Sequence, residues 1–296
     1  MTEEYGKEKR RIWKGGKQMK TKQPKAVHQK SFWKRCVEHR ALILMSLPGL
    51  AAVFIFSYIP MYGILIAFQN YNPVDGMFAM NNWVGLKYFK QFLSNPYLFR
   101  LIRNTLLLGI YTLLWSFPAP IIFALLMDQL TSAKFKKAVQ SISYMPYFIS
   151  TVVIVGLVKS FCSVDGVINV IREAFGGQAI SFMTDPKYFR TIFIASNIWQ
   201  GLGWGAIVYL AALSAVDPQL HEAATLDGAN RWQRIRYVSW PAIIPTTTIM
   251  LILESGKIIS SDFTKVLLLY NESTYETADI IGTYVYREGI LGGKFE

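Results

Sequence analysis

The sequence predicts an all-α protein, a polytopic bundle of membrane-crossing helices. Its 296 residues are 52% hydrophobic and only 17% charged, too poor in charge for a soluble domain of this length. Five apolar runs each approach or exceed the roughly 20 residues needed to cross hydrocarbon. Residues 1–40 hold 13 Lys or Arg against four acids, directly ahead of the first run, where the positive-inside bias places a cytoplasmic flank.

That basic tail also suits an anionic lipid surface. It is too long and polar for a cleaved signal peptide. Because the net charge of +12 is concentrated there, nucleic acid is not the expected partner. The first span, 41–68, carries Pro48 and Pro60, which bend a helix whose freed backbone groups neighbours re-satisfy. The second, near 104–127, contains Pro118 and Pro120, and the third, near 139–159, contains Pro146. The fourth covers 191–213 and the fifth lies near 242–260.

With the amino terminus inside, alternation puts 128–140 and 214–240 in the cytoplasm. Residues 69–103, 160–190 and 261–296 then face outward. Lys134, Lys136, Lys137, Arg231, Arg234 and Arg236 agree with this, whereas Lys87, Lys90, Arg100 and Arg103 fall outside as a basic surface. In the 160–190 loop, an Asp165-Gly166 turn, an apolar side of Val167, Val170, Ile171 and Phe175, and a Gly176-Gly177 stop predict a short helical hairpin resting on the bundle.

Cys36 and Cys162 are far apart and His28, His39 and His221 are scattered, so neither a metal cluster nor a disulfide framework is indicated. Gly256-Lys257 lacks the upstream glycine and following Ser or Thr of a phosphate loop. No intramembrane acid pair, His-Glu motif or Ser-His set is present. An enzyme is not the expected reading.

The 214–240 loop is highly patterned. Asp217 before Pro218 is an N-cap with proline at the first helical position, and Gly228 is placed to end that helix in a left-handed turn. Asn230 caps a second helix through Trp232, Ile235 and Val238, until Pro241 begins the fifth span. Ala223 and Ala224 give the first helix a low-relief surface that another backbone can approach closely.

Glu222-Ala223-Ala224, Asp227-Gly228-Ala229, Pro241 and Pro245 together resemble the EAA loop, here 217–241, of type I ATP-binding-cassette importer permeases. The likeness extends from "SLPGLAAVFIFSYIPMYGILIAFQNYNP" through "NIWQGLGWGAIVYLAALSAVDPQLHEAATLDGA" to "DIIGTYVYREGI", and is greatest for the sugar and oligosaccharide branch. The resemblance implies a permease domain over 41–260 whose loop couples to an ATPase through Glu222, Ala223, Ala224, Asp227, Gly228 and Ala229. It implies a second permease subunit, cytoplasmic ATP-binding subunits and an extracellular solute-binding protein as partners. ATP is then bound by the partner, and this chain holds no cofactor. The family normally has six spans, so 261–296 is expected to be an extracellular segment leading to a last span that the sequence lacks. Ile235 and Trp240 depart mildly from the loop's usual bulky apolar residues, and Glu254 and Asp262 place acids where such permeases usually carry other residues. The alternative is a secondary transporter or channel that works without an ATPase.

Substrate-path candidates are Tyr144, Tyr147, Trp199, Gln200, Trp204, Glu254 and Lys257. Aromatics at such places serve as core or interfacial anchors or as sugar-stacking platforms. Glu254 and Lys257, three residues apart, either neutralise each other or contact cargo. Gly201, Gly203 and Gly205 in the fourth span predict close helix packing. The outer basic surface suits an acidic oligosaccharide, an acidic binding protein or, equally, lipid headgroups.

Overall fold

Prolines set the winding of the long helices. The computed structural model describes residues 38–71, 83–260 and 262–294, so the basic tail lies almost wholly outside the described residues. Ten helices are labelled here: α1 (Arg40–Phe68), α2 (Lys87–Leu93), α3 (Leu98–Asp128), α4 (Ala133–Phe148), α5 (Thr151–Phe161), α6 (Val167–Ala174), α7 (Pro186–Ser214), α8 (Pro218–Leu226), α9 (Arg231–Ser255) and α10 (Phe263–Leu269). Short helical turns continue through 272–291. Among the described residues, the sole extended pairing is an antiparallel bridge between Gln69 and Trp83.

In α1, α3 and α9 a π-turn ends two residues before a proline: Phe54–Tyr58 before Pro60, Thr112–Ser116 before Pro118, and Ile235–Ser239 before Pro241. Proline offers no N–H and its ring crowds the carbonyl four residues back. In each helix the residue just before the proline donates one residue further back than usual: Ile59 to Phe54, Phe117 to Thr112, and Trp240 to Ile235. The helix therefore widens locally rather than breaking; α3 and α9 then resume as α-helix, whereas α1 continues as a 3₁₀ helix over Ile59–Phe68.

The chain divides into two compact units, 1–64 and 65–296. The described part of the first is the bulk of α1, within which Phe54 and Tyr58 stack with centroids 5.9 Å apart. In the second, α7 is the central element. Towards its start, Phe189, Phe193 and Ile194 are buried among Leu108, Ile154, Val155, Val158, Val266 and Leu269. Towards its end, Ala206, Tyr209, Leu210 and Leu213 are buried among Ile121, Ala124, Leu125 and Ile243. Small residues bring the helices together, as expected where lipid supplies no hydrophobic drive between them. A Cβ at Gly203 would collide with the Ser143 carbonyl and meet the Tyr144 ring, and one at Gly205 would press on Pro120. The packing expectation holds for these two glycines but not for Gly201, where a Cβ meets nothing within 4 Å.

Among the described residues three helices are long and apolar enough to cross a membrane, or five when each bent pair counts as one span. The polytopic all-α expectation agrees with the upper count, but several elements differ. The third span is not one helix: α4 and α5 meet at 103°. Pro146 tightens the end of α4 into a 3₁₀ turn, Ile149 and Ser150 are extended, and Ser150 caps α5 by accepting from the Val153 amide. The second helix of the 217–241 loop is not separate from the fifth span, because the π-turn carries α9 from Arg231 through Pro241 without a break. The fifth helix stops at Ser255, placing Lys257 in the turns beyond it rather than within a span. The 160–190 loop holds one helix, not a hairpin. Its predicted apolar side faces away from the bundle, with Val167, Val170, Ile171 and Phe175 exposed, whereas Asn169 is buried. The Asn169 amide explains this, donating to the carbonyls of Ser163 and Ile180 and accepting from the Ile180 amide.

Candidate functional site

A cavity of about 350 Å³ opens beside the middle of α7, lined by residues of α3, α7, α9 and the turns after α9. Its walls alternate apolar groups such as Leu113, Phe117, Phe193 and Met250 with polar Ser116, Asn197, Glu254, Lys257, Ser260 and Asp262. The missing side chain at Gly201 leaves one wall recessed. The buried Ser116 hydroxyl has no protein partner among the described residues, and an orphaned polar group at an apolar wall favours a ligand with polar atoms of its own.

Glu254 and Lys257 form an ion pair at 2.7 Å with the lysine side chain 64% exposed. Mutual neutralisation and cavity lining are thus both realised. A pair this open contributes little to stability, so its place in the wall is the more informative fact.

Behind this wall lies a polar junction that the sequence reading missed. Lys265 on α10 is 2% exposed, and its Nζ donates to Asn197 Oδ1 at 2.6 Å and Gln200 Oε1 at 2.7 Å. Gln200 Nε2 in turn donates to the Ile149 carbonyl, at the break between α4 and α5. Asp262, on the cavity wall, caps α10 by accepting from the Lys265 amide at 3.1 Å. A charge inside "DFTKVLLL" was the available signal, the same kind of signal that singled out Glu254.

The predicted path residues therefore separate. Glu254 and Lys257 line the cavity, while Gln200 is engaged in the junction behind it. Tyr147 stacks on Trp204 with centroids 4.5 Å apart and planes 4° from parallel, and Phe148 meets Trp204 edge-on. Tyr144 packs over Gly203, and Trp199 is exposed. None of the four aromatics lines the cavity.

The caps of the 217–241 loop are built as its sequence predicts. Asp217 accepts from the Gln219 amide and Pro218 opens α8. At the other end, Gly228 has φ +79°, its amide donates to the Thr225 carbonyl, and the Ala229 amide donates to Ala224. These bonds complete a Schellman motif. Asn230 and Gln233 form a reciprocal capping box at the start of α9, and Arg234 donates to the Thr225 hydroxyl at 3.1 Å across the turn. Glu222 lies on α8, and Leu226 beside it is 89% exposed, so this helix presents an uncovered surface. Asp227, Gly228 and Ala229 shape the turn, while Ala223 and Ala224 keep α8 low in relief.

The predicted basic surface is only half realised. Arg100 pairs with the fully buried Asp279 at 3.2 Å, Arg287 pairs with it at 2.9 Å, and the Thr283 hydroxyl donates to it. Hydrogen bonding to Asp279 raises Arg287 above its already high range, so Arg287 is charged at every physiological pH. Arg103 donates to the Glu276 carbonyl, as does Asn104, which also holds the Asp279 carbonyl. These bonds clamp the 272–291 turns onto the start of α3. Lys87 and Lys90 remain exposed. Among the described residues no cluster of His, Cys, Asp or Glu has the grouping of a metal site.

A broken, multi-helix bundle with a cavity beside α7 and a Schellman-capped EAA loop fits a transporter permease. Residues 97–289 match the family described as "Binding-protein-dependent transport system inner membrane component", and the chain belongs to that family. It is a permease subunit of an ATP-binding-cassette importer and a multi-pass membrane protein, and no observation favours the ATPase-independent alternative. Protein LplB of Bacillus subtilis (strain 168) is 43% identical over 255 residues, covering 86% of this chain and 80% of that one. The polygalacturonan/rhamnogalacturonan transport system permease protein YteP of the same organism is 42% identical over 262 residues, covering 88% and 81%. The crystal structure of a bacterial ABC transporter involved in the import of the acidic polysaccharide alginate contains a chain 40% identical, with a TM-score of 0.80 over 89% of this chain and 88% of that one.

Proposed function

We propose that this chain forms one side of the translocation path for oligosaccharides, acidic ones released from polysaccharides above all, and that the cavity beside Asn197, Gly201 and Glu254 receives them. The observation that carries the reading is the cavity's alternation of hydroxyl, amide and charged groups with apolar walls, which suits a sugar's polar edges and apolar faces. The YteP and alginate-importer relatives support the acidic class, and a related structure is described in complex with an alginate pentasaccharide-bound periplasmic protein.

In this reading an extracellular solute-binding protein delivers cargo, a second permease closes the other side of the path, and two cytoplasmic ATP-binding subunits hold the ATP. The chain itself binds no cofactor and breaks no bond. The amino terminus and the 217–241 loop face the cytoplasm. Glu222, Ala223 and Ala224 seat α8 in the ATPase, whose closure on ATP moves α8. The Gly228 turn and the capping box pass that motion to α9, so the cavity opens alternately to either side. Tyr147 and Trp204 stabilise the break between α4 and α5 rather than stack on cargo.

The test is uptake by the complete transporter in proteoliposomes, comparing a galacturonate trisaccharide with the neutral galactose trisaccharide. ATP-dependent uptake of the acidic sugar, abolished by filling the cavity at Gly201, is the expected result. Uptake of neither sugar refutes the cargo class.

A further inference from the structure

Lys265 does not reach the cavity, yet it faces the back of its wall. It is 2% exposed, and none of the ion pairs among the described residues involves it. Burying an ammonium is costly; the Asp262 carboxylate acts on it electrostatically without an ion pair, and the acceptors of its Nζ are two neutral amide oxygens, on Asn197 and Gln200. An ammonium is donor-only, whereas a side-chain amide has one accepting end and one donating end. By capturing both oxygens, Lys265 fixes the orientation of both amides.

For Gln200 the consequence is visible, since its NH2 group turns to the Ile149 carbonyl freed by the break between α4 and α5. Asn197 lines the cavity, and with its Oδ1 taken by Lys265 its NH2 group is the end that bond leaves unused. We infer that Lys265 is a positioning residue that sets the hydrogen-bond polarity of the cavity wall, holding Asn197 so that it offers donors and thereby selects cargo with acceptor oxygens, carboxylates first. This selection rests on the cavity being the cargo site; the capture of residue 197 by Lys265 does not.

The two parts are tested separately on the complete transporter. Asn197→Asp keeps the shape of the side chain, gives Lys265 a carboxylate and removes the NH2 group. Thermal unfolding of the detergent-solubilised complex is measured for Asn197→Asp, Lys265→Met and the pair combined. With Lys265 present, Asn197→Asp is expected to hold or raise the melting temperature; with Met at 265 it is expected to lower it. The same change in both backgrounds overturns the positioning role whatever the cargo. Lys265→Gln, which retains an NH2 donor group without the charge, provides a second variant should Lys265→Met not assemble, and an unaltered Asn197→Asp effect there likewise refutes it.

The second arm is uptake of the galacturonate trisaccharide. Losing one donor to the ligand raises KM about three- to tenfold with kcat nearly unchanged. Asn197→Asp should therefore raise KM for the acidic sugar by at least that factor and far less for the neutral one. An unchanged KM ratio between the two sugars, in a variant passing the thermal test, overturns the selection role. If the unmutated transporter carries neither sugar, the cargo reading and the selection role fail together, while the thermal cycle still decides the positioning role.

Discussion

Ser239 donates a 2.7 Å hydrogen bond to Asp128 across 111 residues of sequence. Ser239 is fully buried at the end of the α9 π-turn, and Asp128 is the last residue of α3. The bond joins the element that leaves the coupling loop to the element that walls the cavity. Asp128→Leu should destabilise the solubilised complex by about 1–3 kcal/mol, because it strands a buried hydroxyl. Ser239→Ala should cost less, because half-buried Asp128 keeps its Gln129 contact. Melting temperatures check the order, and a larger loss for Ser239→Ala contradicts this account.

The Gly228 turn tests the coupling loop without touching any contact. A Cβ at Gly228 meets nothing within 4 Å, but φ is +79°, and a left-handed conformation costs an L-residue roughly 1–2 kcal/mol. Gly228→Val should unseat α8 and uncouple ATP hydrolysis from uptake. Gly228→Asn, which tolerates that conformation, should retain most transport. Parallel assays of hydrolysis and uptake decide it, and equal coupling in the two variants rules out a conformational role.

Much of this was legible in sequence because it is local. Asp217-Pro218, Gly228 and Asn230 announce their caps within four residues, and a membrane span announces itself by composition alone. What escaped depends on pairs distant in sequence. Nothing near Lys265 reveals that Asn197 and Gln200 will receive it, and nothing near Arg100 reveals Asp279, so a predicted basic surface became an internal clamp. The break between α4 and α5 escaped for a different reason. Pro146 resembles the prolines at 118 and 241, but those helices widen into π-turns and resume, whereas α4 tightens into a 3₁₀ turn and ends.

Asp279 and Glu254, each paired with cations, should respond differently to neutralisation. Asp279 has no exposed surface and holds two guanidiniums, so Asp279→Ala should cost about 3 kcal/mol and prevent assembly at growth temperature. Glu254→Gln disturbs an exposed pair and should leave the melting temperature nearly unchanged while altering uptake through the cavity wall. Stability and uptake measured on both variants separate the clamp from the path, and comparable melting losses would remove the distinction.

The glycines of α7 provide the sharpest contrast between packing and passage. Gly203 lies against the Ser143 carbonyl and the Tyr144 ring, where a methyl group has no room, whereas Gly201 opens onto the cavity with nothing within 4 Å. Gly203→Ala forces α4 away from α7 and should lower the yield of assembled complex sharply, since overpacking a close helix contact costs about 1–3 kcal/mol. Gly201→Ala should assemble and transport almost normally, and Gly201→Phe should assemble yet block uptake by filling the recess. Size-exclusion yield and uptake on the three variants give the answer. Normal uptake by Gly201→Phe would place the path elsewhere, and normal assembly of Gly203→Ala would show that the contact with α4 yields.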